Sequence, residues 1–252
     1  MGFIAAVYGV VCYVVFLASF LYAIGFVGNV FVPKTIDSGH GAAPAEALLI
    51  DILLLGAFAI QHSVMARPGF KAVWTKIVPH SIERSTYVLF SSLLLALICW
   101  QWQPIPGTVW DTTASPMLTG ALTGLFWLGW LLLLLATFMI NHFDLFGLRQ
   151  VYLRMRSVEY SPPHFTERAL YRIVRHPIML GFLIAFWAAP RMSLGHLLFS
   201  AATTGYILIG IALEERDLAR AHPEHYQAYR SQVPKLIPTG VFRRQRSRAI
   251  VP

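Results

Sequence analysis

Apolar residues along the chain are gathered into six stretches separated by polar segments. The stretches cover residues 3–32, 45–66, 86–102, 117–141, 178–189 and 194–213. A membrane-spanning helix needs about 20 apolar residues, and the first four stretches reach or approach that length. Only residues 190–193 separate the fifth stretch from the sixth. The pattern therefore predicts a tight helical hairpin over residues 177–213, whose first arm is short or steeply tilted.

The composition is that of an integral membrane protein. Hydrophobic residues occupy 56% of the 252 positions, charged residues occupy 13%, and the mean hydropathy is +0.59. A soluble domain carries about 25% charged residues. The predicted fold class is an all-α integral membrane protein with four long transmembrane helices and a C-terminal helical hairpin. We expect a single membrane-embedded domain over residues 1–240, followed by a loose basic tail at 241–252.

The net charge of +8 is distributed unevenly among the polar segments. Segments 67–85, 142–176 and the part after 214 are rich in Lys and Arg, whereas loops 33–44 and 103–116 together hold one Lys and two Asp. The positive-inside rule places the basic segments and both termini in the cytoplasm. We therefore expect a multi-pass protein of the inner (cytoplasmic) membrane, in contact with the lipid bilayer. No aromatic-interleaved basic patch accompanies the charge, so nucleic acid is not an expected partner.

The second apolar stretch contains two ionisable residues, Asp51 and His62. They are eleven residues apart, about three helical turns, and therefore share one helix face. Ionisable groups inside a membrane normally face a partner or a cavity. A structural role is favoured for Asp51. For His62, a hydrogen bond between helices and a contact with a ligand both stay open.

The end of the fourth stretch concentrates polar groups at the predicted cytoplasmic surface. Five of them fall within ten residues: Asn141, His142, Asp144, Arg149 and Gln150. Capping of a helix end explains one or two such groups, so the set favours a functional site, with Gly147 as a break in the helix. Arg175 and His176 precede the fifth stretch, and Glu214 and Glu215 follow the sixth. By the predicted topology, these groups converge on one membrane surface.

Common metal and nucleotide motifs are missing from the sequence. It contains no HExxH, no cysteine ligand set, no GxGxxG fingerprint and no Walker loop. His222 and His225 flank Pro223, which breaks a regular helix through the pair. We therefore expect no metal site.

The C-terminal third resembles the isoprenylcysteine carboxyl methyltransferase superfamily of integral membrane enzymes. The motifs that carry the resemblance stand in the family's order and spacing: RHPIMLG at 175–181, EERDL at 214–218, HYQAY at 225–229 and VPKLIP at 233–238. Residues 61–71 (QHSVMARPGFK) and 141–150 (NHFDLFGLRQ) are similar to a narrower bacterial branch, the methanethiol S-methyltransferases. The chain departs from the family at Met179, where an aromatic residue is common.

The resemblance implies that S-adenosylmethionine binds in a cytoplasmic pocket formed by about residues 141–238. Its contacts would come from Tyr171, Arg175, His176, Pro177, Gly181, Glu214, Glu215, Tyr226 and Tyr229. Pro177 suits the first turn of a helix, where free N–H groups favour an anion. Arg175 at this wet helix mouth would bind the methionyl carboxylate. Glu214 or Glu215 would receive the ammonium or the ribose hydroxyls.

The implied reaction is methylation of a small thiol, most simply methanethiol to dimethyl sulfide. The thiolate is the nucleophile, so a base or a cation that lowers the pKa of the thiol is needed. The candidate catalytic residues are Asp144, His142, Arg149 and His62. Asp144 either acts as the base or orients His142.

Other functions stay open at this point. A methyltransferase of the same fold could act on a lipid or a prenylated substrate. A haem-binding or transport protein could use His62 and His142, and a sterol-type reductase would require NADPH.

Overall fold

A computed structural model describes residues 2–39, 41–162, 167–221 and 223–239. In chain order its helices are α1 (Gly2–Gly28), α2 (Pro44–Ala66), α3 (Pro68–Trp74), α4 (His80–Gln101), α5 (Pro116–Ile140), α6 (His142–Leu145), α7 (Leu148–Met155), α8 (Pro177–Trp187), α9 (Leu194–Ala221) and α10 (Pro223–Gln232). A 3-10 turn covers Ala169–Arg172. Five helices, α1, α2, α4, α5 and α9, are long and apolar enough to cross a membrane. The predicted all-α membrane fold is confirmed.

Two helices, α4 and α9, extend well beyond the apolar stretches that predicted them, whereas α1 ends at Gly28, before the end of its stretch at residue 32. Helix α4 begins at His80, six residues before the predicted start, and α9 continues to Ala221. An apolar stretch ends where polar residues begin, but the helical backbone hydrogen bonds continue through those polar residues. The hairpin forms from α8 and α9, and its second arm is itself a full-length span. Its first arm is short: the eleven residues of α8 rise about 16 Å. The predicted tail, residues 241–252, lies outside the described residues.

A small β-ribbon closes the end of the bundle opposite the polar residues. Strand β1 (Thr108–Asp111) pairs antiparallel with β2 (Arg191–Ser193), with an irregularity between Thr108 and Trp110. The ribbon joins the segment before α5 to the turn between α8 and α9. It was not predicted, because strands of three and four residues are too short to show an alternating pattern.

Helices α5 and α8 pack through a contact between two glycines. A Cβ atom at Gly129 would lie 2.7 Å from the Gly181 carbonyl oxygen, and one at Gly181 would lie 2.7 Å from the Gly129 carbonyl oxygen. Small residues allow the backbones of membrane helices to approach this closely. Helix packing therefore accounts for Gly181, which the family resemblance placed among the cofactor contacts.

This contact predicts the effect of a single added methyl group. Gly129→Ala should lower the free energy of unfolding by about 1–3 kcal/mol, because the methyl group meets backbone atoms of α8. Gly124→Ala is the control, since a Cβ atom at Gly124 has open space in the same helix. Thermal unfolding in detergent measures both variants. Equal melting temperatures for the two would contradict the close helix contact.

The polar ends of the long helices come together at one end of the bundle. The C-terminal end of α2 pairs with that of α9 through Arg67 and Asp217, whose Nη1 and Oδ2 atoms lie 2.8 Å apart. The first turn of α4 meets the segment after α5, where Arg84 Nε donates to the Leu145 carbonyl at 2.7 Å. The start of α1 packs against α7 at the same end. The structure thus gathers the predicted polar residues near one surface.

Candidate active site

Backbone hydrogen bonds join the RHPIMLG motif to the VPKLIP motif. The backbone N–H groups of Arg175 and His176 donate to the carbonyls of Pro234 and Lys235 at 2.9 and 3.2 Å. Pro177 then opens α8 at its first helical position, as expected from its missing N–H. We call the side chains gathered here the Glu215 cluster; its members are Arg175, His176, Glu214, Glu215 and Lys235.

Arg175 is buried and its donors are used within the protein. Its Nε and Nη2 donate to Glu215 Oε1 at 3.0 and 2.7 Å. Its Nη1 donates to the carbonyls of Arg230 and Val233 at 3.1 and 2.6 Å. The prediction that Arg175 lies at a solvent-exposed helix mouth is wrong. Only 9% of Arg175 is exposed, because the segment after α9 folds back over it. Arg175 therefore anchors Glu215 and the chain that follows α10.

The two adjacent glutamates have different surroundings. Glu215 is buried, and its carboxylate contacts Arg175, His176 Nε2 at 3.2 Å and Lys235 Nζ at 3.5 Å. The Glu214 side chain is 51% exposed and lies 3.6 Å from His176 Nδ1. Glu215 is thus a structural anion held by cations, whereas Glu214 and Lys235, with side chains 51% and 45% exposed, are the members of this cluster that a ligand can reach.

Three predicted tyrosines pack α10 onto the 3-10 turn. The Tyr229 hydroxyl donates to the Tyr171 carbonyl at 2.6 Å, and the Tyr171 hydroxyl donates to the Ala136 carbonyl at 3.4 Å. Tyr226 is fully buried. Burial, and to a lesser degree the Glu215 carboxylate, raises the pKa of Tyr226 to about 12. The tyrosines therefore hold α10 against the 3-10 turn beside the Glu215 cluster.

Of the pair His222 and His225, the structure describes only His225. His225 Nε2 lies 3.0 Å from Glu167 Oε1 at an exposed position. His222 lies outside the described residues.

The NHFDLFGLRQ segment folds into two short helices, α6 and α7, joined at Gly147. Gly147 has φ +85°, a left-handed conformation that favours glycine. A Cβ atom there would also lie 2.6 Å from Ser85 Oγ on α4. The predicted break at Gly147 is confirmed, and it turns α7 across the end of the bundle.

Asp144 and Arg149 form an ion pair across this break. Arg149 Nη1 donates to Asp144 Oδ1 at 3.0 Å and to the Ser161 carbonyl at 2.7 Å. The Tyr160 hydroxyl donates to the other carboxylate oxygen of Asp144 at 3.2 Å. The Tyr160 ring also lies 5.4 Å from the Arg149 guanidinium carbon. The structure thus brings two of the predicted catalytic residues together and adds Tyr160, which no sequence motif indicated.

His142 points away from Asp144 and into the bundle. Its Nδ1 lies 2.9 Å from Thr137 Oγ1, whose own proton goes to the Leu134 carbonyl, so Nδ1–H donates and Nε2 accepts. Nε2 receives the hydroxyl proton of Tyr13 at 2.8 Å. Burial lowers the pKa of His142, which keeps the ring neutral. The expectation that Asp144 orients His142 is wrong, because both ring nitrogens are bonded elsewhere.

His62 bridges α2 and α4. Its Nδ1 lies 3.1 Å from Ser91 Oγ, its Nε2 lies 2.9 Å from the Tyr87 hydroxyl, and its ring stacks on Phe58. These contacts favour the interhelical hydrogen bond over ligand contact. Asp51 accepts a hydrogen bond from the Gln103 backbone N–H at 2.9 Å, which agrees with its expected structural role.

Two cavities border the Asp144–Arg149 pair. The first, which we call the polar cavity, has a volume of about 660 Å³ and lies between α3–α4 and α6–α7; its lining includes Lys71, Glu83, Arg84, Asp144, Gln150 and Tyr160. Burial lowers the pKa of Lys71, and the neighbouring Glu83 opposes that shift. The second, the apolar groove, has a volume of about 460 Å³ and lies between α1 and α6–α7; its lining includes Val10, Phe143, Val151 and Arg149.

The fold and the site define a multi-pass membrane protein with a polar site at one end of its helix bundle, and the chain belongs to the NnrU protein family, whose profile matches residues 50–222. It is 54% identical over 236 residues to Methanethiol S-methyltransferase of Mycobacterium tuberculosis, covering 94% of this chain and 96% of that protein. It is 54% identical over 233 residues to Methanethiol S-methyltransferase of Crocosphaera subtropica, covering 92% and 90%. It is 30% identical over 196 residues to Nurim of Rattus norvegicus, covering 72% and 74%. No solved structure matches the chain. The predicted resemblance is confirmed.

Proposed function

We propose that the protein transfers a methyl group from S-adenosylmethionine to methanethiol, which gives dimethyl sulfide and S-adenosylhomocysteine. The observation that carries the proposal is 54% identity to proteins named methanethiol S-methyltransferase over more than nine-tenths of the chain. The segment shared with the family, residues 50–222, includes both Asp144 and the Glu214–Glu215 pair.

The residues of the Glu215 cluster fit the nucleoside part of the cofactor. Glu214 offers a half-exposed carboxylate that accepts hydrogen bonds from ribose hydroxyls, and His176 lies beside it. Glu215, held by Arg175, fixes the position of His176. The bound cofactor supplies an electrophilic methyl group on a sulfonium.

The Asp144–Arg149 pair fits the activation of a thiol. An alkyl thiol is mostly protonated near neutral pH, and only the thiolate is strongly nucleophilic. The apolar groove suits the methyl end of methanethiol. Arg149 is among the residues that line this groove, and its partner Asp144 lines the neighbouring polar cavity. The positive charge of Arg149 would stabilise the thiolate. Asp144 accepts the thiol proton. A bound cofactor would supply the methyl group to the thiolate and would leave as S-adenosylhomocysteine; the part of Asp144 and Arg149 is to take the thiol proton and to hold the thiolate.

Membrane orientation is part of the proposal. The loop charges support an orientation in which the protein spans the inner membrane with the polar end of its helix bundle in the cytoplasm. Reporter fusions after residues 75 and 155 should therefore be cytoplasmic, and a fusion after residue 110 should lie outside. A cytoplasmic reporter at residue 110 would contradict this orientation.

An assay of the purified protein tests the proposed reaction. Protein in detergent with S-adenosylmethionine and methanethiol should release dimethyl sulfide into the headspace, detected by gas chromatography. A prenylated cysteine and NADPH serve as the alternative substrate and the alternative cofactor, and an absorption spectrum tests for haem. Methylation of the prenylated compound without dimethyl sulfide, or binding of NADPH or haem in its place, would overturn the proposal.

A further inference from the structure

The polar cavity is bounded by α3, by the first turn of α4 and by the segments on either side of Gly147. The proposed reaction uses Asp144 in its wall but not the space inside it, which has a volume of about 660 Å³. Three cations and three carboxylates line this space: Lys71, Arg84 and Arg154, and Glu83, Asp144 and Glu159. Because the opposite charges are equal in number, the lining favours a ligand that carries both charges over a simple anion.

The polar cavity lies at the level of the lipid headgroups. Helix α4 begins at His80 and its apolar part begins at residue 86, about 9 Å further along the helix. The headgroup layer on each side of the hydrocarbon core is about 5–8 Å thick, so the first turn of α4 lies at its level. Near the cavity, the side chains of Val73, Ile77 and Val158 are exposed. Exposed apolar side chains beside a polar cavity indicate contact with lipid.

One part of the polar cavity is suited to a phosphate group. The first two residues of α4, His80 and Ser81, line the cavity, and among the described residues no side chain caps the helix there. Free backbone N–H groups at the start of a helix favour an anion. Lys71 and Arg84 add two positive charges, and Arg84 is held in the wall by the hydrogen bond from its Nε to a backbone carbonyl of α6 at 2.7 Å.

Another part of the polar cavity is suited to an ammonium group. Glu83 Oε1 and Gln150 Oε1 are buried, and within the described ranges of the chain neither has a hydrogen-bond partner. Lys71 Nζ lies 4.0 Å from Glu83 Oε1, which is longer than a hydrogen bond. Gln150 Nε2 donates to the Asp144 carbonyl at 3.1 Å, so the amide is oriented and its oxygen remains an acceptor. A primary ammonium can donate to both oxygens, whereas a trimethylammonium has no N–H to donate.

We propose that the polar cavity binds the phosphoethanolamine headgroup of a membrane phospholipid, with the phosphate at Lys71, Arg84 and the start of α4 and the ammonium at Glu83 and Gln150. The acyl chains lie outside the cavity, beside the exposed apolar side chains. The bound headgroup joins the α3–α4 side of the protein to the α6–α7 side. This inference goes beyond the proposed methyl transfer and does not depend on it.

Three phospholipids that share the phosphate and differ in the group attached to it test the proposal. Phosphatidylethanolamine carries a primary ammonium, phosphatidylcholine carries a trimethylammonium, and phosphatidylglycerol carries no positive charge. Native mass spectrometry of the delipidated wild-type protein, titrated with each lipid in detergent, should show phosphatidylethanolamine bound at about tenfold lower concentration than either of the others, because only it makes the charge-assisted N–H bonds. Equal binding of all three lipids would overturn the proposal.

Two variants test the two ends of the headgroup separately. Glu83→Gln removes the negative charge at the ammonium, so phosphatidylethanolamine should bind about tenfold more weakly while phosphatidylcholine changes by less than about twofold. Lys71→Met removes a positive charge at the phosphate, so all three lipids should bind about tenfold more weakly. A purely structural role of Glu83 would affect the lipids equally. A Glu83→Gln protein that kept the full preference for phosphatidylethanolamine would overturn the proposal.

Lys76→Met and Glu46→Gln are the matched controls. Lys76 is exposed, follows Lys71 by five residues and does not line the polar cavity. Glu46 is exposed in the first turn of α2, at the opposite end of the bundle. Both variants should keep the affinities of the wild-type protein for all three lipids within about twofold.

A water-soluble form of the headgroup distinguishes a membrane lipid from a free ligand of the same chemistry. Glycerophosphoethanolamine has the same phosphate and ammonium but no acyl chains. It should displace phosphatidylethanolamine only at about a hundredfold excess or more, because it lacks the apolar contacts that the acyl chains make. Displacement by an equal concentration would assign the cavity to a soluble ligand and overturn the assignment to a lipid.

Discussion

Replacing Arg175 with methionine is expected to lower the free energy of unfolding by about 3–5 kcal/mol, the range for removing one partner of a buried ion pair. The Glu215 carboxylate would stay buried, with the His176 ring at 3.2 Å and Lys235 Nζ at 3.5 Å as remaining partners. The carbonyls of Arg230 and Val233 would also lose their donor. Denaturant or thermal unfolding in detergent, followed by circular dichroism, measures the loss.

Two further variants show whether the ion pair causes the loss. Arg172→Met removes an exposed arginine from the same segment and should change stability by less than about 0.5 kcal/mol. The double variant Arg175→Met with Glu215→Leu should be more stable than Arg175→Met alone, because no unpaired charge is left buried. A fully stable Arg175→Met that had lost affinity for S-adenosylhomocysteine would instead show that Arg175 binds the cofactor.

Asp144→Asn should lower turnover with methanethiol by about 10²–10⁴-fold, the usual contribution of a general base. Asparagine keeps the size of the side chain and one acceptor oxygen for Arg149, but its amide nitrogen can accept neither the Tyr160 hydroxyl hydrogen bond nor the thiol proton. Because a rising pH converts more of the substrate to thiolate before it binds, the variant should recover relative to the wild type as pH rises. Headspace measurement of dimethyl sulfide across a pH series gives the rates of the variant and of the wild type.

The control for Asp144 is another aspartate paired with an arginine. Asp111 lies 3.7 Å from Arg191 at the opposite end of the bundle, and Asp111→Asn should leave turnover within about twofold of the wild type. Affinity for S-adenosylhomocysteine should stay near the wild-type value in both variants. Joint loss of turnover and cofactor affinity in Asp144→Asn would make Asp144 a structural or cofactor-binding residue, and full activity would exclude it as the base.

Hydropathy predicted those parts of the fold that contact with lipid determines. Apolar length predicted the spans, and Pro177 and Gly147 predicted a helix start and a break because each residue type has a backbone preference. The helical extension at His80 and the β-ribbon were not predicted. The extension consists of helical backbone hydrogen bonds that continue through polar residues, which hydropathy does not register. The β-ribbon depends on contacts between distant parts of the chain, such as the pairing of Thr108 with Ser193.

The candidate site was predictable in its location and less so in its internal contacts. Loop charge predicted the surface where the polar residues gather, and spacing within one short segment predicted that Asp144 and Arg149 lie together. The burial of Arg175 depends on α10 and the segment that follows it, which no local pattern reports. Tyr13 is one of three tyrosines in the apolar helix α1, so nothing in the sequence distinguished it as the partner of His142.

The central claim is that this protein moves a methyl group from S-adenosylmethionine to methanethiol. Purified protein given S-adenosylmethionine with a trideuterated methyl group should produce dimethyl sulfide containing three deuterium atoms, measured by mass spectrometry of the headspace. S-adenosylhomocysteine should accumulate in equal amount, and Asp144→Asn should slow both products together. Dimethyl sulfide without the label, or no dimethyl sulfide while S-adenosylhomocysteine binds normally, would contradict the claim.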